Sequence, residues 1–362
     1  MKLEGYSVLN ENFEFEALSL EFDEKITSIE KSDKPCKGYV IPGFIDVHTH
    51  AAIDQDFMSY TDIDEYIYYM YSNGITTFYP TSCCAPVDEI VKAAAFCKDK
   101  KEIEGINIEG PFINTAYKGA HREEYICEAY IDALYKIQEA AGGKVKLITV
   151  APEVGQNMEF IAKAAEMGIH VSLGHTACDF DTACAAIDAG ADHITHLFNA
   201  MPPLHHRKSG LIGAAFDRDV YVELIGDGVH VAPEVVRLTY RAIGDDRLVL
   251  ISDSMAATGL DDGEYLLGGV IKAIVTDGMA YTEDGALAGS THNVYEMVKS
   301  VHKMGIPLEK AIKMATYTPA KSVGETEKGI ISVGKCADFV ILDENFEVVQ
   351  TIKNGNIVFS VC

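Results

Sequence analysis

Two histidines separated by one residue follow a long apolar segment near the start of the chain. His48 and His50 come directly after residues 39–47, a segment typical of a buried strand. Residues i and i+2 of a strand face the same side, so both imidazoles can point into one site. Neutral imidazole is a common ligand of zinc and iron. The pair alone is a weak metal motif, and its interpretation depends on the residues that join it.

Three further candidate ligands end later apolar segments. Glu109 ends one of them, and His175 and His196 lie at matching ends of two consecutive strand-like segments, one βα unit apart. If these strands are parallel and adjacent, the three side chains can converge on one point. Three protein ligands leave a coordination position for water, which a catalytic zinc requires, and the metal lowers the pKa of that water towards neutrality.

A candidate proton carrier follows another apolar strand. Asp253 lies in the run Ile-Ser-Asp-Ser-Met at 251–255. A carboxylate beside an activated water can accept its proton and then pass that proton to a leaving amine. A helix cap or an ordinary loop carboxylate explains the same residue equally well from its position alone.

The segments that must position these residues have the rhythm of repeated βα units. Short apolar runs alternate with helix-like stretches of about a dozen residues, which is typical of a parallel sheet. The candidate site residues cluster at the carboxyl ends of the predicted strands, where parallel barrels place their active sites. We therefore predict an α/β fold with a TIM-like (β/α)8 barrel.

The two ends of the chain have a different pattern. Residues 1–35 and the last thirty residues alternate polar and apolar positions, which is typical of half-exposed antiparallel strands. We expect residues 1–41 and 331–362 to pair into a small β-sandwich domain. Residues 42–330 then form the metal-dependent barrel domain.

The composition restricts the partners and the compartment. A net charge of −25 repels nucleic acid and anionic membranes, so a small anion needs a local basic pocket. The nine cysteines include no C-x-x-C pair, which suits reduced thiols in a cytosolic protein. No signal-peptide pattern opens the sequence, and no apolar run approaches the roughly 18 residues that span a bilayer. We expect a cytoplasmic enzyme that binds neither nucleic acid nor membrane.

Several longer runs carry a specific resemblance. They are Glu-Gly-Pro-Phe at 109–112, Lys-Gly-Ala-His at 118–121, Gly-His-Thr at 174–176, His-Leu-Phe-Asn-Ala-Met-Pro-Pro-Leu-His-His-Arg at 196–207, Asp-Gly-Val-His at 227–230 and Ser-Asp-Ser-Met-Ala-Ala-Thr-Gly at 252–259. From about residue 42 to the C-terminus the chain resembles the N-acetylglucosamine-6-phosphate deacetylases of the amidohydrolase superfamily. The later runs Leu-Ala-Gly-Ser at 287–290 and Gly-Lys-Cys-Ala-Asp at 334–338 also fit. The H-x-H pair and the Gly-x-x-Ala-Asp pattern at 334–338 are shared by many amidohydrolases, whereas the 196–207 run with the spaced 227–230 run is far more specific.

The resemblance implies a reaction and a set of roles. The reaction is hydrolysis of N-acetyl-D-glucosamine 6-phosphate to D-glucosamine 6-phosphate and acetate by metal-activated water. The fold would be a (β/α)8 barrel with a small β-sandwich built from both termini, assembled as a homodimer. The implied metal ligands are Glu109, His175 and His196, with His48 and His50 for a second metal, so that each subunit binds one or two zinc or iron(II) ions. The implied catalytic and substrate-binding residues are Asp253 as general acid/base, His121 at the acetamido carbonyl, and Asn199, Ala200, His230 and Arg207 around the phosphate, with the neighbouring subunit as an alternative source of Arg207.

One position departs from the family pattern. The family usually has Gly-Gly after H-x-H, and here Ala51 and Ala52 follow. Alanine disfavours positive φ, so we expect the loop near Asp54 and Asp56 to take another course. This expectation concerns the shape of the pocket and leaves the metal chemistry unchanged.

Alternative functions remain at this stage. The same reaction on N-acetylgalactosamine 6-phosphate differs only in the orientation of one hydroxyl. Cyclic amidohydrolases such as dihydroorotases often bridge their metals with a carboxylated lysine, and Glu109 in the corresponding place argues against that class. A non-catalytic binding protein on the same fold typically loses ligands, whereas this chain keeps five candidate ligands and Asp253.

Overall fold

The computed structural model describes residues 1–60 and 62–361. Within them the strands are β1 (Lys2–Leu9), β2 (Phe15–Phe22), β3 (Ile26–Lys31), β4 (Tyr39–Pro42), β5 (Phe44–Thr49), β6 (Ala51–Ala52), β7 (Gln55–Asp56), β8 (Ile75–Ser82), β9 (Ile106–Glu109), β10 (Val145–Val150), β11 (His170–Leu173), β12 (His193–Ile194), β13 (Tyr221–Ile225), β14 (Leu248–Ile251), β15 (Gly263–Leu267), β16 (Ile271–Thr276), β17 (Met279–Thr282), β18 (Phe339–Leu342), β19 (Val348–Lys353) and β20 (Asn356–Ser360). The helices are α1 (Asp64–Ser72), α2 (Val87–Cys97), α3 (Ile131–Ala140), α4 (Asn157–Glu166), α5 (Phe180–Asp188), α6 (Gly210–Asp217), α7 (Pro233–Ile243), α8 (Val294–Lys303), α9 (Leu308–Met314) and α10 (Tyr317–Ser322).

Eight parallel strands form the central barrel. They are ordered β5–β8–β9–β10–β11–β12–β13–β14, and a helix follows each strand before the next one begins. The two edge strands meet just beyond their ends, where the Asp253 amide donates to the His48 carbonyl at 2.9 Å and Thr49 bridges Ser254 in parallel. Closure brings the first and last strands together, and it confirms the predicted (β/α)8 architecture.

Burial on both faces explains why these segments form a barrel. Every residue of β8 is buried, and so is every residue of β9, as expected for strands with side chains in the barrel interior on one face and against helices on the other. The helices are amphipathic, and α8 begins with a capping box between Asn293 and Glu296. The cap satisfies backbone amides that the first helical turn leaves without partners.

Strands from both ends of the chain form a second sheet, ordered β20–β19–β18–β4–β1–β2–β3. The sheet curls back on itself, because the Ile26 amide donates to the Lys335 carbonyl at 2.9 Å and the rings of Phe22 and Phe339 meet 5.1 Å apart. The predicted pairing of the two termini into a small β-sandwich is confirmed. The division of the chain at 41/42 and 330/331 stays a prediction.

The predicted half-exposed character is wrong for β18. All four of its residues are buried. Phe339 and Ile341 pack into the core of the small sheet, whereas Val340 and Leu342 pack into the large core that includes the barrel helices. A strand sandwiched between two cores needs apolar residues on both faces, so alternation is lost.

The Ala51–Ala52 segment forms a small hairpin with β7. Both alanines are extended and buried, and the positive φ values fall instead on Ile53 (46°) and Asp54 (60°). The alanines therefore do not sit where glycine-like dihedral angles are needed. The hairpin is held by backbone hydrogen bonds from Ile53 to Thr258 (2.8 Å) and from Asp54 to Ala256 (2.8 Å).

A three-stranded antiparallel sheet, β15–β16–β17, is inserted between β14 and α8. It has its own small core, which includes Leu267, Ala273 and Cys83. Because Cys83 lies directly after β8, this core fixes the inserted sheet over the carboxyl end of the barrel. All eight described cysteines are free thiols, and Cys362 lies outside the described residues.

Candidate active site

Three predicted ligands meet at the carboxyl end of the barrel. Glu109 is the last residue of β9, and His175 and His196 each lie two residues beyond β11 and β12. Glu109 Oε1 is 3.2 Å from His175 Nε2 and 3.0 Å from His196 Nε2, and the two Nε2 atoms are 3.0 Å apart. Two imidazole nitrogens and a carboxylate oxygen in mutual contact form a donor set that suits a divalent cation.

His48, within β5, and His50, just beyond its end, both contact the carboxylate of Glu109. His48 Nε2 is 3.5 Å from Glu109 Oε1, and His50 Nε2 is 3.3 Å from Glu109 Oε2. The five donors therefore form two triads that share Glu109, each with its ligand atoms within 4.8 Å of one another. The fit to bound metal is supported by His48 Nε2, which is fully buried and has no hydrogen-bond partner among the described residues.

Asp253 lies beside both triads. Its Oδ1 is 3.1 Å from His50 Nε2 and 3.5 Å from His48 Nε2. Burial raises the pKa of Asp253, but the neighbouring His48 and His50 rings outweigh burial and lower that pKa to about 2. Burial likewise raises the pKa of Glu109, and His48, His175 and His121 together hold it well below its usual range. Both carboxyl groups are therefore ionised at neutral pH.

The backbone at this end of the barrel is strained. His175, His196 and Asp253 all have positive φ values, of 48°, 26° and 48°. Residues other than glycine rarely adopt such φ values, and each instance costs of order 1–3 kcal/mol. The strain is located at residues whose side chains converge, which is typical of a functional site.

His121 approaches from the loop after β9. Its ring is buried, with Nε2 3.2 Å from Glu109 Oε2, and the Cys84 amide donates to its Nδ1 at 3.4 Å. Because Nδ1 accepts a hydrogen bond, the ring proton resides on Nε2. His121 is thus a hydrogen-bond donor at the edge of the metal site.

A cavity of about 280 Å³ opens over these residues. Its walls come from the loop of His121, from residues after β12, from His230, and from the inserted sheet and the segment that follows it. The lining residues are His50, Glu109, Gly119, Ala120, His121, His175, His196, Phe198, Asn199, Ala200, His230, Asp253, Leu267, Ala286, Leu287 and Gly289. A larger groove of about 860 Å³ lies between α3 and α4, away from these converging histidines and carboxylates.

The predicted substrate-binding residues divide into two groups. Asn199, Ala200 and His230 line the cavity, and His230 Nδ1 is held by Asp227 Oδ2 at 2.6 Å. His230 lies five residues beyond the end of β13, on the loop that follows this strand. Arg207 does not line the cavity of this chain. It lies on an exposed loop, against the ring of His206.

Sequence reasoning missed two kinds of residue. Leu267 and Leu287 line the cavity, and sequence reasoning gave neither of them a role. Glu223 is fully buried within β13 and bonds to His48 Nδ1 at 3.0 Å. A carboxylate inside the apolar run Tyr-Val-Glu-Leu-Ile is a signal that could have identified it, because central parallel strands are normally apolar on both faces.

Comparison with known proteins identifies the family of this chain. Residues 39–358 match the model of the amidohydrolase family. N-acetylglucosamine-6-phosphate deacetylases from Lysinibacillus sphaericus and Bacillus subtilis are 35% and 36% identical, over 88% and 90% of this chain and 85% and 86% of theirs. No helix in the described residues is long and apolar enough to cross a membrane.

Solved structures give the same result. The N-acetylglucosamine-6-phosphate deacetylase of Thermotoga maritima superposes with a TM-score of 0.94 at 33% identity, covering 100% of both chains. A mutant of the Mycobacterium smegmatis enzyme in complex with N-acetyl-D-glucosamine 6-phosphate gives 0.93 at 30% identity, covering 99% of both chains. The chain therefore belongs to the amidohydrolase family and, within it, to the N-acetylglucosamine-6-phosphate deacetylases.

Proposed function

We propose that this protein hydrolyses N-acetyl-D-glucosamine 6-phosphate to D-glucosamine 6-phosphate and acetate. The observation that carries the proposal is the pair of ligand triads sharing Glu109, with Asp253 3.1 Å from His50 at the base of a cavity that is open to solvent. The two bacterial N-acetylglucosamine-6-phosphate deacetylases compared above align with most of this chain.

A divalent cation fits the donor set. Glu109, His175 and His196 would hold it, and His48 and His50 with Glu109 would hold a second one. Mixed imidazole and carboxylate donors suit zinc or iron(II). When bound, the cation supplies Lewis acidity that polarises the amide carbonyl and activates water.

Asp253 carries the proton in this mechanism. As an ionised carboxylate it accepts a proton from the attacking water and returns it to the amine as the carbon–nitrogen bond breaks. Its backbone amide bonds to the His48 carbonyl at 2.9 Å, so the closure of the barrel fixes its position. Collapse of the carbon–nitrogen bond gives the neutral amine and acetic acid, and the proton of the acid then passes to the amine, so the products are acetate and an ammonium group.

His121 and the loop residues bind and orient the substrate. The Nε2 proton of His121 points towards Glu109 in this structure, and the acetamido oxygen would compete for it as negative charge develops there. The Asn199–Ala200 backbone, His230 and Arg207 would contact the sugar phosphate. Since Arg207 lies outside the cavity of its own chain, a homodimer in which the neighbouring subunit supplies Arg207 fits its position. A cytoplasmic location suits this phosphorylated substrate.

The deciding experiment measures acetate release from protein reconstituted with zinc or iron(II), using N-acetylglucosamine 6-phosphate and its galacto epimer in parallel. We expect release from the gluco substrate, with metal-free protein as the control. Preference for the galacto epimer would keep the mechanism and change the sugar. Absence of release from either substrate, with metal bound, would contradict the proposed function and leave an amidohydrolase of another specificity, whereas a protein that binds no metal would favour the non-catalytic alternative.

A further inference from the structure

Glu223 is a buried carboxylate that the proposed reaction does not use. It lies in the middle of β13 with none of its surface exposed, and its side chain reaches across the barrel interior to β5. Its Oε2 is 3.0 Å from His48 Nδ1 and 3.4 Å from the backbone nitrogen of His196. Among the described residues no lysine or arginine pairs with it, and its Oε1 has no hydrogen-bond partner.

A buried carboxylate without a lysine or arginine partner is costly, because it loses hydration that nothing fully replaces. The interaction it does make determines the chemistry of His48. A histidine that ligates a cation through Nε2 keeps its ring proton on Nδ1, and Glu223 Oε2, 3.0 Å from Nδ1, is placed to accept it. The lone pair then resides on Nε2, which lies 3.5 Å from Glu109 Oε1 and 3.5 Å from Asp253 Oδ1.

We propose that Glu223 is a positioning residue that holds the His48 ring so that its Nε2 would face the second cation site, which His48 forms with His50 and Glu109. The proposal rests on the metal-dependent function proposed above. A carboxylate that orients a ligating histidine through its other nitrogen raises the basicity of the ligand and fixes its ring. The backbone of Glu223 also lies next to the triad of Glu109, His175 and His196, since its carbonyl accepts a hydrogen bond from the amide of Leu197, the residue after His196, at 2.9 Å.

Zinc titration of metal-free protein by calorimetry, with metal counting after dialysis, tests the proposal. The wild type should bind two zinc ions per chain. Glu223→Leu keeps a similar volume but removes the acceptor, and it should weaken the His48-containing site by about 10- to 100-fold while the other site changes little. Glu223→Gln retains an acceptor oxygen for Nδ1 and should stay within a few-fold of the wild type.

Asp46 provides the matched control. It is equally buried in the barrel interior, but it bonds to the backbone amides of His48 and Ser252 (both 3.3 Å) and not to the His48 ring. Asp46→Asn should therefore keep two zinc ions, even where it lowers thermal stability. If Glu223→Leu does not fold, Glu223→Asp replaces it, because shortening the side chain by one carbon withdraws the carboxylate from Nδ1 while keeping its charge.

Three results would overturn the proposal: one zinc per wild-type chain, two wild-type affinities in a folded Glu223→Leu, or an equal loss in Asp46→Asn. Acetate release is scored separately on the wild type. Two bound zinc ions without release would refute the proposed function and leave the role of Glu223 standing. Release with a single zinc bound would refute the role of Glu223 alone.

Discussion

Strands β11 and β12 carry histidines at both ends, and the two ends of the barrel use them differently. At the carboxyl end His175 and His196 converge on Glu109. At the amino end His170 and His193 converge on Asp192, through Nδ1 contacts of 2.6 and 2.7 Å. Each cluster brings three donor atoms within 4.8 Å, so distance alone does not separate them.

The two clusters differ in what surrounds them. The Asp192 side chain is 41% exposed, and its two oxygens each accept one hydrogen bond, so water and imidazole together satisfy it. Glu109 is 2% exposed and meets four histidine rings besides that of His121. Positive φ values occur at His175 and His196, whereas neither histidine at the amino end has one. The carboxyl end is therefore distinguished by its strained backbone and by one buried carboxylate shared among five imidazoles, whereas the amino end has a partly exposed carboxylate with two imidazoles, although His193 Nε2 there is also buried without a hydrogen-bond partner.

The largest expected effect is at the carboxyl end. Asp253→Asn removes the proton carrier but keeps the volume of the side chain, so turnover should fall by about 10²- to 10⁴-fold. Metal content should not change, because Asp253 is not among the proposed ligands. Steady-state acetate release and metal counting check both statements. Near-normal turnover would remove Asp253 from the mechanism.

The same substitution at the amino end sharpens the comparison. Asp192→Asn weakens two hydrogen bonds in a partly solvated place, so the free energy of unfolding should fall by about 1 kcal/mol. Turnover and the number of bound zinc ions should match the wild type. Urea unfolding and the acetate assay measure these quantities. Loss of one zinc ion in this variant would show that the amino-end cluster also binds metal, and the contrast would fail.

A smaller effect is expected in the dependence of stability on pH under acidic conditions. Burial raises the pKa of Asp192, but hydrogen bonds from His170 and His193 outweigh burial and hold that pKa well below its ordinary 3.8. A lowered folded-state pKa stabilises the native state above the unfolded-state value and loses that contribution as the pH falls further. The contribution of Asp192 to stability, measured as the difference between wild type and Asp192→Asn, should therefore shrink as the pH falls below about 4. Melting curves from about pH 4 to about pH 2 test this, and a difference that grows over that interval would contradict it.

The smallest effect concerns backbone strain. Asp54 is exposed and has a φ of 60° in the hairpin beside the cavity. Asp54→Gly should stabilise the protein by about 0.5 kcal/mol, because relief of the left-handed conformation slightly exceeds the added chain entropy of glycine. Asp54→Ala keeps the Cβ atom and should not stabilise it. Equal melting temperatures for the two variants would show that the strain is negligible.

Much of the site could be predicted because its residues end strands. The H-x-H pair, Glu109, His175 and His196 each follow an apolar run, and parallel strands necessarily bring such ends to one edge. The small sheet was predictable from alternation in residues such as 15–22, but the burial of both faces of β18 was not. Its burial on both faces depends on a second core that packs against it from elsewhere in the chain.

The sequence by itself determined the barrel, the donor types and the family, since these follow from local periodicity and short motifs. Only the tertiary structure decided that Glu109 is shared by two triads and that Glu223 bonds to His48 from another strand. It also decided that the inserted sheet forms part of the wall of the cavity. It alone also distinguished the histidines at the two ends of β11 and β12. These relations join residues far apart in the chain, and barrel closure, not local pattern, sets the distances between them.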